Sequence, residues 1–488
     1  MNGLIKNAYA VFTVVTLIVA CARNPVTGKK QIVLMSEQQE IAMGQQADPE
    51  IVATFGLYPD SAIQRFINEK GKQMAAISHR PALNWTFRVL DADVINAFAV
   101  PGGYVYFTRG ILANMNNEAQ FAGVLGHEIG HVTARHTVSQ QTRQVLGQIG
   151  IIAAVIAKPE LAQFAEAASQ GLQLMYLKNS RDAESQSDEL GVEYSSKVGY
   201  DAKEMAKFFQ TLDREMAYKS GNQRLPEFLS THPDPGNRYT TVTNLATQWQ
   251  TTNNKTNMTI NRNSYLRMVN GIVYGEDPRQ GYRENNVFYH PELKFQFNTP
   301  AGWQYQNTPQ QVMLAPTDGA AMLMLSLGKG NTPREAAQNF IQAAKLQVTE
   351  SRDITVNGLN AYALVGSQMQ QDQSGRSVPA VTAIIYFIQY NNVIYQLIGA
   401  STPANFSTYA GMLRPYMDSF KALTDASKIN VKPERIEVVT VSRNQTLKQL
   451  FESYKLPAAR FEELAIMNGM QQTDNLTTGM LVKIVVKR

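Results

Sequence analysis

The chain is poor in cysteine and in charge. Cys21 is the only cysteine among 488 residues, which excludes internal disulfide bonds. Charged residues make up 17% of the chain, and no stretch concentrates lysine and arginine with aromatic residues. The formal net charge of +5 is spread thinly. We therefore expect no nucleic-acid partner.

The N-terminal segment lacks an apolar run long enough to cross a bilayer comfortably. Lys6 is its single charge, and the apolar run Ala8–Ala20 has the length of the central region of a signal peptide. The run ends at Cys21 in the letters IVAC, which resemble a bacterial lipobox. An ordinary secretory signal with a chance cysteine is the alternative.

The lipobox reading makes residues 1–20 a signal peptide and Cys21 an acylated mature N-terminus. Acyl chains contribute about 0.8 kcal/mol per buried CH₂, so several chains would anchor the protein durably. Ala22 in place of Asp resembles sorting to the outer membrane. We expect a lipid-anchored protein of the bacterial cell envelope, on the periplasmic face of the outer membrane.

The length exceeds what one hydrophobic core supports, so two to four domains are expected. Ser36 is a predicted helix N-cap, with Gln39 at the capping-box position. From there to about residue 240 the pattern is mainly helical. The predicted parts after the signal peptide are a metallopeptidase domain (21–245), a linker and connector (246–284, with a polar stretch at 246–263), an α+β accessory domain (285–425) and a strand–helix–helix–strand unit (433–488).

The accessory domain is predicted from short apolar runs with strand character. Helices are expected near 332–346 and 403–420. No metal, nucleophile or phosphate signature occurs in it. The predicted strands are Lys294–Asn298, Val312–Ala315, Ala321–Leu327, Val381–Gln389 and Val393–Ala400.

The most informative motif is HEIGH at 127–131, an HExxH pattern. Four residues advance a helix by about 400°, so His127 and His131 lie on one face and can share a metal. Glu128 lies at the edge of that face, where it can accept a proton from metal-bound water. The alternative is a pair of core histidines around a surface glutamate.

A catalytic zinc site of this kind needs a third protein ligand. Ala134 and Thr137 stand where a metzincin would have glycine and histidine, so that class is excluded. On a continuous helix His136 lies about 140° around from His131 and cannot join the pair. A downstream carboxylate is then expected, and Glu184 is the best candidate.

Glu184 and Asp188 are also four residues apart, hence on one helical face. One carboxylate can bind the metal while the other accepts the free ring N–H of a ligand histidine. Spacing alone does not decide this, because acidic helix faces are commonly just solvated.

The block from about 23 to 285 resembles the zinc metallopeptidases of family forty-eight, particularly their bacterial envelope branch. The resemblance implies a mainly α zincin-type, gluzincin-like fold with a small edge-strand sheet. The matching stretches are Asn24–Gly28, Asn96–Ala99, Pro101–Gly103, HEIGHVTARH at 127–136, Ser180–Gly191, Ser230–Pro233 and Asp277–Tyr282.

The resemblance also implies roles for individual residues. His127, His131 and Glu184 would bind one zinc ion, Glu128 would be the catalytic base, and Asp188 would support a ligand histidine.

Two further residues take a role only from the resemblance. His232 would lie near the zinc and Arg238 would line the substrate cleft, both able to donate to an oxyanion. There are two alternatives for His232. It could be a fourth zinc ligand that blocks the water, or it could simply cap its proline-rich loop.

Three segments outside the motif have competing interpretations. Gly103–Thr108 is expected to be the edge strand along which unfolded polypeptide adds, the alternative being an ordinary core strand. The uncharged stretch Val145–Ala157 fits a buried helix, a cleft-covering hairpin or a surface that touches membrane or partners. The unit at 433–488 resembles a LysM-type fold, but Asn444-Gln445 replace its usual Gly-Asp, so peptidoglycan binding competes with a structural role.

Together these features predict a zinc-dependent metalloendopeptidase acting on unfolded, misfolded or misassembled cell-envelope polypeptides. The alternative is a chaperone-like or peptidoglycan-attached binding protein with a vestigial or closed zinc site. An intact Glu128 favours the enzyme, because a structural zinc site needs no base.

Overall fold

The computed structural model describes residues 20–142, 165–219, 232, 237–371 and 374–488. The apolar stretch Val145–Ala157 and residues 1–19 of the expected signal peptide lie outside the described residues. The chain forms two compact units. The first contains the chain up to Val52 with Gly56–Gly275 and Arg435–Val486, and the second contains Ala53–Phe55, Glu276–Glu434 and Lys487–Arg488.

The first unit is mainly helical, as predicted, and its part before residue 276 carries two small sheets. Its helices before residue 276 are α1 (Glu37–Phe55, whose last turn belongs to the second unit), α2 (Ser61–Ala75), α3 (Arg109–Asn114), α4 (Glu118–Thr133), α5 (Ala165–Lys197), α6 (Lys203–Lys219), α7 (Arg238–Thr252) and α8 (Arg262–Met268). Its strands there are β1 (Ala20–Arg23), β2 (Lys30–Val33), β3 (Thr86–Leu90), β4 (Ala97–Val100) and β5 (Tyr104–Thr108). Among the described residues, no helix combines the length and apolar character needed to cross a membrane.

The three-stranded sheet corrects the expectation about the edge strand. Its order is β3-β5-β4, with β5 parallel to β3 and antiparallel to β4. The strand expected at the edge, Gly103–Thr108, is therefore the central one. Val105, Tyr106 and Phe107 are all buried, as in a strand with partners on both sides. The two edge strands of this sheet are β3 and β4.

Helix α4, which carries the HExxH motif, is buried over nearly its whole surface. Asn117 caps its N-terminus by accepting a hydrogen bond from the backbone of Gln120. It ends at Thr133, and Arg135 has a φ of 57°, so the chain changes direction before a new helical turn begins at His136.

The polar stretch at 246–263 is not an irregular linker throughout. Helix α7 continues to Thr252, and α8 begins at Arg262. Both helices bury apolar side chains, including Ala246 and Tyr265, in the core of the first unit. Burial on one face thus overrides the polar composition of this stretch.

The second unit is built on antiparallel sheet. Its strands are β6 (Tyr282–Glu284), β7 (Val287–His290), β8 (Phe295–Asn298), β9 (Gln304–Asn307), β10 (Gln311–Ala315), β11 (Ala321–Leu327), β12 (Leu346–Val356), β13 (Leu359–Gln371), β14 (Ser377–Tyr390), β15 (Val393–Ser401) and β16 (Lys421–Ala422). The helices are α9 (Pro333–Ala344), α10 (Phe406–Met417) and α11 (Ala426–Ile429).

Seven of these strands form one sheet in the order β12-β13-β14-β15-β11-β10-β9, and β16-β8-β7-β6 form a second sheet. Two hydrophobic clusters pack on the large sheet: one includes Leu413 of α10, the other Ala337 of α9. The predicted α+β character and all five predicted strands are confirmed.

The C-terminal segment returns to the first unit. Its elements are β17 (Glu434–Thr440), β18 (Gln445–Thr446), α12 (Leu447–Ser453), α13 (Phe461–Met467), β19 (Asn475–Leu476) and β20 (Leu481–Lys487). The predicted strand–helix–helix–strand order is confirmed. Ile436, Phe461 and Ile484 belong to the same hydrophobic cluster as Phe121 of α4, so this segment shares the core of the first unit.

Candidate metal centre

His127 and His131 lie one helical turn apart on α4, as their spacing predicts. Their Nε2 atoms are 3.0 Å apart, and the ring planes meet at 76°. His127 is fully buried, whereas the side chain of His131 is 14% exposed. Both rings therefore direct one nitrogen to a common point at the edge of the core.

Glu184 of α5 faces the same point. Its Oε2 lies 3.2 Å from Nε2 of His127 and its Oε1 lies 3.3 Å from Nε2 of His131. Nδ1 of His232 lies 3.1 Å from Oε1 of Glu184 and 3.3 Å from Nε2 of His127. One ligand atom from each of the four residues lies within 4.8 Å of the others.

These separations fit a zinc ion. Ligand atoms about 2.0–2.1 Å from a tetrahedral zinc ion lie about 3.3–3.4 Å from one another. Imidazole nitrogen and carboxylate oxygen are ligands that zinc accepts. His127, His131 and Glu184 would thus hold the ion, and His232 lies where a fourth ligand would.

Glu128 lies beside this cluster without joining it. Its carboxylate is fully buried, and neither oxygen has a hydrogen-bond partner within the described part of the chain. Nε2 of His232 lies 3.5 Å from Oε1 of Glu128. Burial raises the pKa of Glu128. A buried carboxylate that lacks a hydrogen bond from the described residues is costly, and its place beside the cluster indicates a functional group.

Burial and the neighbouring charges shift the pKa values of the cluster in opposite directions. Burial opposes the charged forms, but Glu184 and Asp188 raise the pKa of His127 to about 9. Burial lowers the pKa of His131 to about 3. Despite burial, the three neighbouring histidines hold the pKa of Glu184 well below its ordinary value.

Asp188 lies behind His127, as the spacing from Glu184 suggested. Its Oδ1 is 2.9 Å from Nδ1 of His127, so the carboxylate can accept that ring proton and leave Nε2 to a metal. Arg238 donates to both oxygens of Asp188, at 2.5 and 2.9 Å. Its guanidinium also stacks 3.9 Å from the ring centre of Phe209.

Arg238 was expected in the substrate cleft. The structure places it in the core, 3% exposed, against Asp188. Its observed contact supports a ligand histidine through that carboxylate, and a hydrogen bond to an oxyanion stays a prediction.

His136 is the residue that sequence reasoning missed. It is not one of the four ligand candidates, but its Nδ1 lies 3.0 Å from Nδ1 of His131. The 140° separation assumed a continuous helix, whereas the chain turns at Arg135. The third histidine in HEIGHVTARH could have drawn attention to position 136. The sequence does not show, however, that the helix is interrupted by the positive φ of Arg135, which brings His136 to His131.

A cavity of about 450 Å³ opens over the cluster. Its floor includes Glu128, His131, Glu184 and His232. The edge strand β4 contributes Phe98 and Ala99, and the β1–β2 hairpin contributes Asn24, Thr27, Lys29, Lys30 and Gln31. An extended chain lying along β4 would therefore pass over the candidate metal site.

Comparison with known proteins agrees with this geometry. A family model described as Peptidase family M48 matches residues 61–246, which include all four candidate ligands. The expected family is thereby confirmed, and zinc is the cofactor that the M48 centre implies.

The M48 segment also has curated relatives. A beta-barrel assembly-enhancing protease of Yersinia pestis is 30% identical over 222 residues, which are 44% of this chain and 45% of that one. The mitochondrial metalloendopeptidase OMA1 of Bos taurus is 31% identical over 164 residues, 32% of this chain and 31% of that one. The chain thus matches less than half the length of these relatives.

Proposed function

We propose that this protein is a zinc-dependent endopeptidase that hydrolyses peptide bonds of unfolded or misassembled cell-envelope proteins. The single observation that carries the proposal is the fully buried carboxylate of Glu128, which accepts no hydrogen bond from the described residues and lies beside the converging ligand atoms of His127, His131 and Glu184. A structural zinc site would not need this carboxylate. The names of the relatives, proteases and metalloendopeptidases, support the same reaction.

Peptide-bond hydrolysis at this site would need contributions from the zinc ion and from side chains of the protein. His127, His131 and Glu184 would hold a zinc ion, which would supply the positive charge that polarises a scissile carbonyl and lowers the pKa of water to about 7. Glu128, beside that site, would accept a proton from the attacking water and return it to the leaving amine. Asp188, held by Arg238, keeps the proton of His127 on Nδ1, so that Nε2 faces the ion.

Strand β4 supports binding of extended polypeptide. The backbone N–H of Thr108 donates to the carbonyl of Asn96. Bonded pairs alternate along an antiparallel ladder, so Phe98 and Val100 bond β5, while the polar groups of Ala97 and Ala99 face away from it. A substrate strand can pair with that edge through its backbone, which would give broad sequence tolerance.

A closed form of the site is the second candidate. Nε2 of His232 lies 3.3 Å from the carbonyl of Ala97, at the edge where substrate would pair. Its Nδ1 lies among the ligand atoms. In this reading the protein binds envelope polypeptides as a chaperone-like factor or sits on peptidoglycan through residues 433–488, with its zinc site held shut.

Localisation is part of the same proposal. Acylation of Cys21 would anchor the protein to the outer membrane, and the M48 relatives of bacterial origin support an envelope setting. Mass spectrometry of the mature N-terminus tests it: an unmodified Cys21 would rule out the anchor.

Cleavage of unfolded casein by the purified zinc-loaded protein tests the enzyme. Glu128→Gln should lower the rate by about 10²–10⁴-fold, the usual contribution of a general base, and keep its zinc. The matched control is Glu189→Gln, which changes an exposed carboxyl of α5 and should cleave like the wild type. If wild type and Glu128→Gln are equally inactive but both suppress casein aggregation, the binding-protein candidate is correct.

A further inference from the structure

The ring of His131 must adopt one tautomer to bind a metal. Its Nε2 faces His127 and Glu184, so this nitrogen is the one that would coordinate. A coordinating imidazole nitrogen needs a free lone pair, and the proton of the neutral ring then lies on Nδ1. The question is which group accepts that proton.

His136 occupies the required position. Its Nδ1 is 3.0 Å from Nδ1 of His131, with the ring planes at 78°. One of these nitrogens must donate to the other, and the metal-binding tautomer makes His131 the donor. Nδ1 of His136 then accepts, and the proton of its own neutral ring lies on Nε2.

Gln186 completes the arrangement. Nε2 of His136 lies 2.9 Å from Oε1 of Gln186, an oxygen that can only accept. If Nε2 of His131 has a free lone pair for the metal, the proton of His131 lies on Nδ1 and the proton of His136 lies on Nε2. The one condition therefore determines the tautomers of both rings. The hydroxyl of Ser187, 3.3 Å from Nδ1 of His136, is a further neutral neighbour of this nitrogen.

Two features of the fold bring these residues together. The reversal at Arg135 is fixed by its side chain, which donates to Glu40 at 3.0 Å and to the carbonyl of Met35 at 3.1 Å. Gln186 lies two residues after Glu184 on α5, so one helix supplies both a ligand and the last acceptor.

The two ligand histidines are thus supported differently. His127 donates to the carboxylate of Asp188, a charged acceptor that is itself paired with Arg238. We propose that His136 and Gln186 are positioning residues for the metal, a neutral imidazole–amide relay that holds His131 in its coordinating tautomer. This inference rests on the metal site of the proposed function, but it does not depend on which polypeptide is cleaved.

Zinc affinity, measured by competition with a chromophoric chelator, tests the relay. His136→Phe keeps a ring and removes the acceptor, so we expect zinc to bind about 10–100-fold more weakly. His136→Asn places an amide oxygen near the position of Nδ1 and should recover much of the affinity. His290→Phe, the same substitution in the second unit, is the matched control and should bind like the wild type.

Gln186 gives an independent pair of variants that leaves His136 in place. Gln186→Leu should weaken zinc binding, whereas Gln186→Glu keeps an acceptor and should not. The visible spectrum of the cobalt-substituted protein should change in His136→Phe and Gln186→Leu, and stay as in the wild type in His290→Phe. Should His136→Phe fail to fold, the Gln186 pair decides alone.

The relay is wrong if folded His136→Phe binds zinc as tightly as the wild type, or if His136→Asn is as weak as His136→Phe. Equal affinity of Gln186→Leu and Gln186→Glu would also overturn it. Failure of the proposed function looks different: the wild type would then bind zinc without cleaving casein, or bind no zinc.

Discussion

Gly126 of α4 and Gly191 of α5 face each other at backbone distance. A Cβ atom on Gly126 would lie 3.0 Å from the carbonyl oxygen of Gly191, and one on Gly191 would lie 3.1 Å from the carbonyl oxygen of Gly123. This close approach sets the distance between the helix that carries His127 and the helix that carries Glu184. The geometry of the metal site therefore depends on glycine at both Gly126 and Gly191.

Gly191→Ala should separate the two helices and weaken both stability and zinc binding. Overpacking in a close-packed core costs about 1–3 kcal/mol, which thermal unfolding would show as a lower midpoint. Gly411→Ala is the control, because a Cβ there meets nothing within 4 Å on helix α10. We expect no destabilisation from it. An unchanged zinc affinity in Gly191→Ala would show that the helix spacing does not set the site.

A second prediction concerns Glu40, a buried carboxylate between two arginines. Arg80 donates to it at 2.7 Å and Arg135 at 3.0 Å. Glu40→Gln removes the carboxylate that Arg80 and Arg135 share, although Arg80 keeps its ion pair with Glu37 at 2.9 Å. Removing one partner of a buried ion pair typically costs about 3–5 kcal/mol. Chemical denaturation should show this loss.

The control for Glu40 is the exposed pair of Arg334 and Asp353, whose side chains are 58% and 69% exposed. Asp353→Asn should change stability by less than about 1 kcal/mol. Equal effects of the two substitutions would contradict the role assigned to burial.

The residues that sequence could identify are those whose roles follow from short spacings. His127 and His131 meet one turn apart, and Glu184 and Asp188, also four residues apart, both contact His127 from one helix face. The capping box of Ser36 and Gln39 is present for the same reason. Each of these depends on contacts within one or two turns.

Features that depend on distant contacts were missed. Strands β12 and β13 were not predicted, because β12 is an edge strand with mostly exposed polar residues and lacks a clear apolar alternation. The position of β5 in the centre of its sheet depends on pairing with two other segments. The contact of His136 with His131 depends on the turn at Arg135, which the letters of the motif do not reveal.

Lys483 gives a prediction about pH. Its ammonium group is fully buried on β20 and donates to the carbonyls of Ala113 and Met115 at 2.7 and 2.9 Å. Burial, with a smaller contribution from the charge of Arg262, lowers the pKa of Lys483 well below its ordinary 10.5. The unfolded chain therefore holds this proton at pH values where the folded protein has released it.

The direction in which stability changes with pH follows from this difference in proton binding. Stability rises with pH wherever the unfolded state binds more protons, so the window lies between the lowered pKa of Lys483 and 10.5. The unfolding midpoint of the wild type should rise relative to Lys483→Met as pH increases through this window. Lys448→Met, at a side chain 58% exposed, should show no such trend. A difference that is flat or falls with pH would contradict the prediction.

The edge of β4 offers a test of how substrate is held. The N–H of Ala99 faces away from β5, so a paired substrate strand would accept a hydrogen bond from it. Ala99→Pro removes this donor, while the position on an edge strand is one where proline is tolerated.

Loss of one such bond costs about 0.5–1.5 kcal/mol, so kcat/KM for casein should fall by about 3–10-fold. Zinc affinity should stay unchanged, because Ala99 supplies no ligand atom. Ala99→Val keeps the N–H and adds bulk at the same position, and it should cleave nearly as fast as the wild type. If both variants lose activity equally, the side chain rather than the backbone edge governs binding. If neither does, substrate approaches the metal site along another path.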